Sequence, residues 1–166
     1  MKLNETQEKY IKSWGSLGSQ WGINKTLAQI HALFLITDEA LSAEDIMESL
    51  KVSRGNVNMN VRTLIDWGLV YKESKLGERK EFFIGEKDMW LIFKRVMKVR
   101  KERELDPMLK LLRTIKQDKD ISPDDTKILS RINSIEKFAS EADTMLEKFL
   151  KMDEKWFRSI FIKLIK

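Results

Sequence analysis

A chain of 166 residues with 42% hydrophobic content has enough apolar mass for a core, and its length suits one compact domain or one domain with helical extensions. It has no cysteine, which excludes disulfides and thiolate chemistry and is compatible with a reducing cytoplasm. The formal net charge of +5 is unevenly spread: residues 1–50 carry 4 basic and 7 acidic groups, residues 51–86 carry 7 and 5, and residues 87–104 carry 7 and 3.

Residues 5–21 read as a first helix, with Tyr10, Ile11, Trp14, Leu17, Gly18 and Trp21 on one side. Glu5 and Glu8 stand where a secretory leader would be basic and then apolar, so a soluble, unprocessed chain is expected. Asn24 caps a second, densely apolar helix from Lys25 to Thr37, which should lie centrally in the fold. Ser42 with Asp45 three positions on resembles a capping box for a short helix ending at Leu50, and Lys51 and Val52 make a turn.

Ser53 caps the next helix, whose apolar stripe is Val57, Val61, Leu64 and Ile65. Opposite that stripe fall Asn56, Met59 and Thr63, with Gly55, Arg62 and Asp66 beside them and Asn58 and Asn60 on the flanks. Gly68 ends the helix, and Leu69–Glu73 and Lys80–Ile84 read as two strands joined by a loop containing Gly77. Beyond Gly85 the pattern is helical throughout. Asp88 caps a helix that Pro107 bends or restarts before about Lys116, and residues 117–125 form a polar connection with Ser122-Pro123 as a helix start. Ile128, Ile132, Ile135, Ala139, Ala142, Leu146 and Phe149 then repeat with heptad spacing, which predicts a helix that pairs along its length and serves dimerisation. The phase slips near Met152, and Trp156, Phe157, Ile160, Phe161 and Leu164 make a last amphipathic helix.

The stretch from Ser42 to Ile84 has the spacing of a helix-turn-helix followed by a β-hairpin wing, a mainly α fold with a small β element. Asn56 and Asn58 can pair two-point with an adenine edge, Arg62 can donate to guanine or phosphate, and the methyls of Met59 and Thr63 can touch thymine. Ser53 and Arg54 sit at the helix start, where phosphate is favoured. Three asparagines in one helix are costly for stability, which points to a use other than packing. The hairpin adds Lys72, Lys75, Arg79 and Lys80, with Arg79 near the tip and suited to a narrow minor groove. A plain soluble hairpin and a solvated helix face are the ordinary alternatives for these charges.

Catalysis finds little support. The one histidine, His31, lies in the most apolar helix and reads as a packed residue; there is no His, Cys and carboxylate cluster for a metal, and Gly15, Gly18 and Gly22 follow no strand. No catalytic residue, metal or cofactor is expected. Trp14 and Trp21 flank Gly18 in an aromatic stripe whose small gap can admit a cationic effector, with Trp90 or Phe93 completing the walls; helix packing is the ordinary explanation.

The run WGSLGSQWGINKTLAQIHALFLIT…LSAEDIMESLKVSRGNVNMNVRTLIDWGLV from Trp14 to Val70, with GERK from Gly77 to Lys80, resembles the GbsR-type branch of the MarR-like regulators. That resemblance covers about the first ninety residues. It implies a dimeric winged helix-turn-helix transcription factor, usually a repressor, with Ser53 through Thr63 as recognition helix and Glu78-Arg79-Lys80 as wing tip. Lys80 stands where members of the branch often have a second arginine, which keeps the charge and loses a bidentate fork.

The expected organisation is an N-terminal helix over 1–24 serving the dimer or effector, a DNA-binding domain over 25–86 and a helical dimerisation region over 87–166. The expected partners are double-stranded DNA on a pseudo-palindromic operator, a second copy of the chain and a small-molecule effector. A winged-helix adaptor that binds protein without reading DNA is the rival. Attachment of the last helix to a membrane surface, through Lys151, Lys155, Arg158, Lys163 and Lys166 beside its aromatics, is the weaker one, and no membrane partner is expected.

Overall fold

The computed structural model describes residues 2–117 and 126–157. In chain order it contains α1 (Glu5–Gln20), α2 (Lys25–Ile36), β1 (Leu41–Ser42), α3 (Ala43–Leu50), α4 (Arg54–Asp66), β2 (Val70–Glu73), β3 (Phe82–Gly85), α5 (Met89–Arg100), a π-helical segment (Lys101–Leu105), α6 (Asp106–Lys116) and α7 (Thr126–Lys151). The chain divides into two compact units, Met1–Arg95 and Val96–Lys166. The first unit includes α1 together with the helix-turn-helix and wing, and it runs past Glu86 into α5.

Local signals start each helix. Asn4 and Gln7 exchange backbone bonds in a capping box at α1, and the Asn24 side chain accepts from Leu27 N at 3.1 Å at α2. Ser42 and Asp45 make the reciprocal pair at α3, Asp45 accepting from Ser42 N at 2.8 Å while Ser42 Oγ accepts from Asp45 N at 3.2 Å. Asp88 Oδ1 accepts from Trp90 N and Leu91 N at 2.9 and 3.1 Å and opens α5.

The core of the first unit is built around α2. Ile30, Ala32, Leu33 and Phe34 are at most 1% exposed, because α1, α4 and β3 all pack on this helix. With apolar residues on most of its circumference, α2 can only be stable when enclosed. α1 approaches it through Gly18, where an added Cβ would come within 2.5 Å of the Ala28 Cβ. The small gap between Trp14 and Trp21, expected to admit a ligand, is thus filled by α2.

The wing strands form a three-stranded antiparallel sheet in the order β1-β3-β2, with Val70 opposite Gly85 and Leu41 opposite Phe83. The two-residue β1 carries no periodicity, so sequence reading missed it. Lys87, just after β3, sends its ammonium to the end of α2, donating to Phe34 O (2.8 Å), Leu35 O (3.3 Å) and Thr37 O (2.7 Å). The last turn of α2 has no basic residue of its own, and Lys87 satisfies the carbonyls left open there.

In the second unit Pro107 does not break the helix but changes its pitch. A proline ring excludes the carbonyl four residues back, and the chain meets this with a π-helical turn in which Asp106 N donates to Lys101 O. Lys101 pairs with Asp106 at the start of α6 (2.7 Å) and fastens that turn to α7 through Asp143 (2.9 Å). Leu109 and Leu112 of α6 and Ala139 of α7 form the buried seam.

The heptad stripe expected on α7 is therefore used within the chain only in part. Ile132, Ala142, Leu146 and Phe149 are half-buried, whereas Ile128 and Ile135 are exposed, as are Phe138 and Met145. The slip near Met152 appears as a helix break, with Asp153 Oδ1 accepting from Lys155 N at 2.8 Å in a new turn. The polar connection around Ser122-Pro123 and the residues Ile160, Phe161 and Leu164 lie outside the described residues. Among the described residues no helix is long and apolar enough to cross a membrane.

His31 is buried within α2, and that burial pushes its imidazole down from 6.5 to about 4. The neutral ring is favoured in the fold, so its stabilising contribution is complete above pH 6.5 and is lost as pH falls toward 4. Between pH 7 and 4.5, urea unfolding should show the wild type losing about 2–3 kcal/mol more than His31→Leu. Parallel losses in the two proteins would show that His31 does not titrate with folding.

Candidate nucleic-acid interface

The side chains proposed to meet DNA are positioned by α4. Ser53 Oγ accepts from Asn56 N at 3.3 Å to open the helix, and Gly68, at φ 71°, closes the turn that follows it. The residues α4 buries are Val57, Asn60, Val61 and Leu64, while Ile65 is only half-buried. With successive residues about 100° apart, this set turns the buried face by about 35° from the stripe of valines, leucine and isoleucine read from sequence. The outward centre becomes Gly55, Arg62 and Asp66 with Met59 beside them, and Asn56 and Asn58 lie on opposite flanks.

Asn60 is the reason for that turn. It is 2% exposed, and its side-chain amide donates to Asn56 O at 2.7 Å. One of the three asparagines thus serves packing, since its amide bonds back along the helix instead of facing outward. The costly-asparagine argument holds for the remaining two.

The expected contact residues fall into two groups. Ser53, Asn56, Asn58, Met59 and Arg62 are exposed on α4, and Thr63 is half-buried with its hydroxyl donating to Met59 O at 3.1 Å. Arg79 and Lys80 are exposed at the wing. The other cations already have partners: Arg54 pairs with Glu44 of α3, and Lys72 pairs with Glu81 across the hairpin. Lys75 folds back, donating to Ala40 O at 3.3 Å and lying 4.2 Å from the centre of the Phe82 ring. It braces the wing against the body.

Sequence reading also missed the device that roots the wing. Arg95 of α5 donates to Gly68 O, to the Tyr71 hydroxyl and, at 3.1 Å, to Glu86 Oε2. Tyr71 in turn donates to Glu86 Oε2 at 2.6 Å, and this bond, followed by backbone amides and Arg95, holds the Glu86 carboxyl below its usual range. One guanidinium thereby joins the end of the recognition helix, β2 and the end of β3. The residues lie 27, 24 and 9 positions from Arg95, spacings that no local sequence pattern reveals.

The aromatic residues proposed for an effector form two ring pairs. Trp14 lies 5.7 Å from Tyr10, and Trp90 lies 6.3 Å from Phe93. Trp21 and Phe93 are exposed, while Trp14 and Trp90 are half-buried. Among the described residues no group of His, Cys, Asp and Glu is arranged to hold a metal ion.

Comparison with known proteins agrees with this geometry. The model of the MarR family matches residues 21–80, the stretch from the end of α1 to the wing tip. The HTH-type transcriptional repressor GbsR of Bacillus subtilis (strain 168) is 24% identical over 103 residues, which are 62% of this chain and 57% of that repressor. The match thus spans little more than half the length of that relative. A solved structure described as a transcriptional regulator superposes with a TM-score of 0.67 at 17% identity, covering 87% of this chain and 95% of the other, and shows the shared fold. Residues 21–80 thus resemble the MarR family in sequence, within a fold shared with a known transcriptional regulator, and the chain is similar to GbsR.

Proposed function

We propose that this protein is a sequence-specific DNA-binding transcriptional regulator rather than an enzyme, a cytoplasmic homodimeric repressor that grips a pseudo-palindromic operator. The observation that carries the reading is the outward face of α4, where Asn56, Asn58, Met59 and Arg62 are all exposed beside a wing bearing exposed Arg79 and Lys80. A helix of this kind suits the major groove, where amide and guanidinium groups discriminate base edges, and the wing suits the flanking backbone or minor groove. The match to the MarR family over the same residues supports it.

Dimerisation is supported by α7. Ile128, Ile135, Phe138 and Met145 recur at spacings of 7, 3 and 7, and Phe138 and Met145 are 74% and 72% exposed. A second copy of the chain that covers this stripe would bring two copies of α4 into one assembly, which a pseudo-palindromic operator requires. Effector binding belongs to the same reading, with α2 occupying the gap between Trp14 and Trp21 and the exposed rings of Trp21 and Phe93, beside Trp14 and Trp90, left as its support.

Selection of bound duplexes from a random pool, run with and without a quaternary ammonium solute, tests the class. An inverted repeat is expected. Tight protein binding with no duplex retained would favour the adaptor instead.

On the recovered duplex, Asn56→Ala and Asn58→Ala should each cost about 1–3 kcal/mol at one base step, with little loss on random DNA. Equal losses on both duplexes would remove the base-reading role. Arg79→Ala should weaken both and lower the slope of log affinity against log salt by about one. An unchanged slope would mean that Arg79 does not meet phosphate.

Phe138→Glu should shift the protein from dimer to monomer in sedimentation without a loss of helix content. A dimer that persists would place the interface elsewhere.

A further inference from the structure

The glycines of this chain carry a signal that the DNA-binding reading has not used. There are seven, and six have a reason within the protein. Gly22, Gly68 and Gly77 have positive φ values of 73°, 71° and 81°. Gly15, Gly18 and Gly85 lie so close to Gln29, Ala28 and Phe34 that an added Cβ would come within 2.6, 2.5 and 2.7 Å. Gly55 has neither reason: its φ is not positive, and a Cβ built on it would meet nothing within 4 Å.

Glycine in a helix is less stable than alanine, because it surrenders more backbone freedom on folding and contributes no side chain. Packing inside the chain would therefore accept alanine at 55, and the chain does not have it. The position of Gly55 gives the omission a meaning. It lies at the outward centre of α4, opposite the buried set of Val57, Asn60, Val61 and Leu64, so it projects farthest from the core. Arg62 follows on the same line, and Asp66, exposed, ends it about 16 Å farther along the helix.

Resting on the DNA-binding reading above, we infer that Gly55 is where duplex DNA comes closest to the protein backbone. A helix with its side chains nearly fills a major groove about 12 Å wide, so a bare α-carbon at the outward centre lets the first turn sink deeper than any side chain would allow. α4 then enters with its N-terminal turn leading and its C-terminal turn lifted. That tilt keeps the Asp66 carboxylate away from phosphates and presents Arg62 midway. Asn56 and Asn58, flanking the leading turn, reach base edges on either side. Gly55 is a positioning residue, acting through the depth it permits its neighbours.

The test uses the full chain and the duplex recovered from the random pool, with a mixed-sequence duplex beside it. Gly55→Ala is expected to raise the thermal midpoint while weakening binding to the recovered duplex about tenfold or more, and Gly55→Leu to weaken it further. Because no charge is removed, the salt slope should stay that of the wild type, unlike that of Arg79→Ala. Unchanged or tighter binding by Gly55→Ala would overturn the inference. So would a lowered thermal midpoint, which would mean that glycine is needed within the fold. Failure of the DNA-binding reading is a separate result, visible before any variant is made: the wild type would retain no duplex.

Discussion

Enclosure of α2 is the constraint on which the DNA-facing geometry depends. A helix with Ile30, Leu33 and Phe34 almost wholly removed from water can exist only inside a shell, and the shell here is α1, α4 and the sheet. Each element of that shell must turn its own apolar side inward. For α4 the choice of Val57, Asn60, Val61 and Leu64 as the inward set determines, without further freedom, which residues look out. The outward face of α4 is the complement of a core, and core substitutions that rotate α4 would re-aim Asn56, Asn58 and Arg62 without touching them.

The wing depends on a second set of ties, and these are polar. Arg95 binds Gly68, Tyr71 and Glu86, while Lys87 binds the carbonyls that end α2. Both cations lie after the sheet in sequence; Arg95 acts on the turn after α4 and on the sheet, and Lys87 acts on the end of α2. α5 begins in the first compact unit and continues past Arg95 into the second, so the helix that leads to the α6–α7 region also anchors the root of the wing. A rotation of α5 about its axis would act on Gly68 and Tyr71 directly.

Much of this fold is legible in the sequence because local rules decide it. Asn24, Ser42, Ser53 and Asp88 announce helix starts, and each is found capping one. The heptad phase of α7 and its slip at Met152 are likewise periodic facts. What escapes local rules is tertiary. The π-helical turn before Pro107 lets the helix continue through a position where proline alone signals a bend or a restart. β1 is too short for a period, and Asn60 is buried because its amide finds the Asn56 carbonyl, a bond with the same i, i+4 spacing that also places residues on a surface. The buried face of α4 is turned by about 35° from the stripe read in sequence, since Asn60 was counted outward and Ile65 inward. Lys75 escaped for a similar reason: composition shows a cation near a loop, and only the fold shows Ala40 O and the Phe82 ring within its reach.

The charge available for phosphates is also smaller than composition suggests, and its arrangement is graded. Arg62, Arg79 and Lys80 are exposed on the DNA-facing side, whereas Arg54 and Lys72 are held by Glu44 and Glu81. Both pairs are solvent-exposed, and such pairs are worth about 0–1 kcal/mol, so a phosphate can displace either carboxylate at little cost. Lys75 is different, because leaving its site would forfeit both a hydrogen bond and an aromatic face. The acids that pair with Arg54 and Lys72 therefore act less as neutralisers than as rests, holding long side chains near the groove until a stronger anion arrives. On the DNA-binding reading proposed above, phosphates that come within reach of Arg54 and Lys72 would recruit both, and Lys75 would keep to its site.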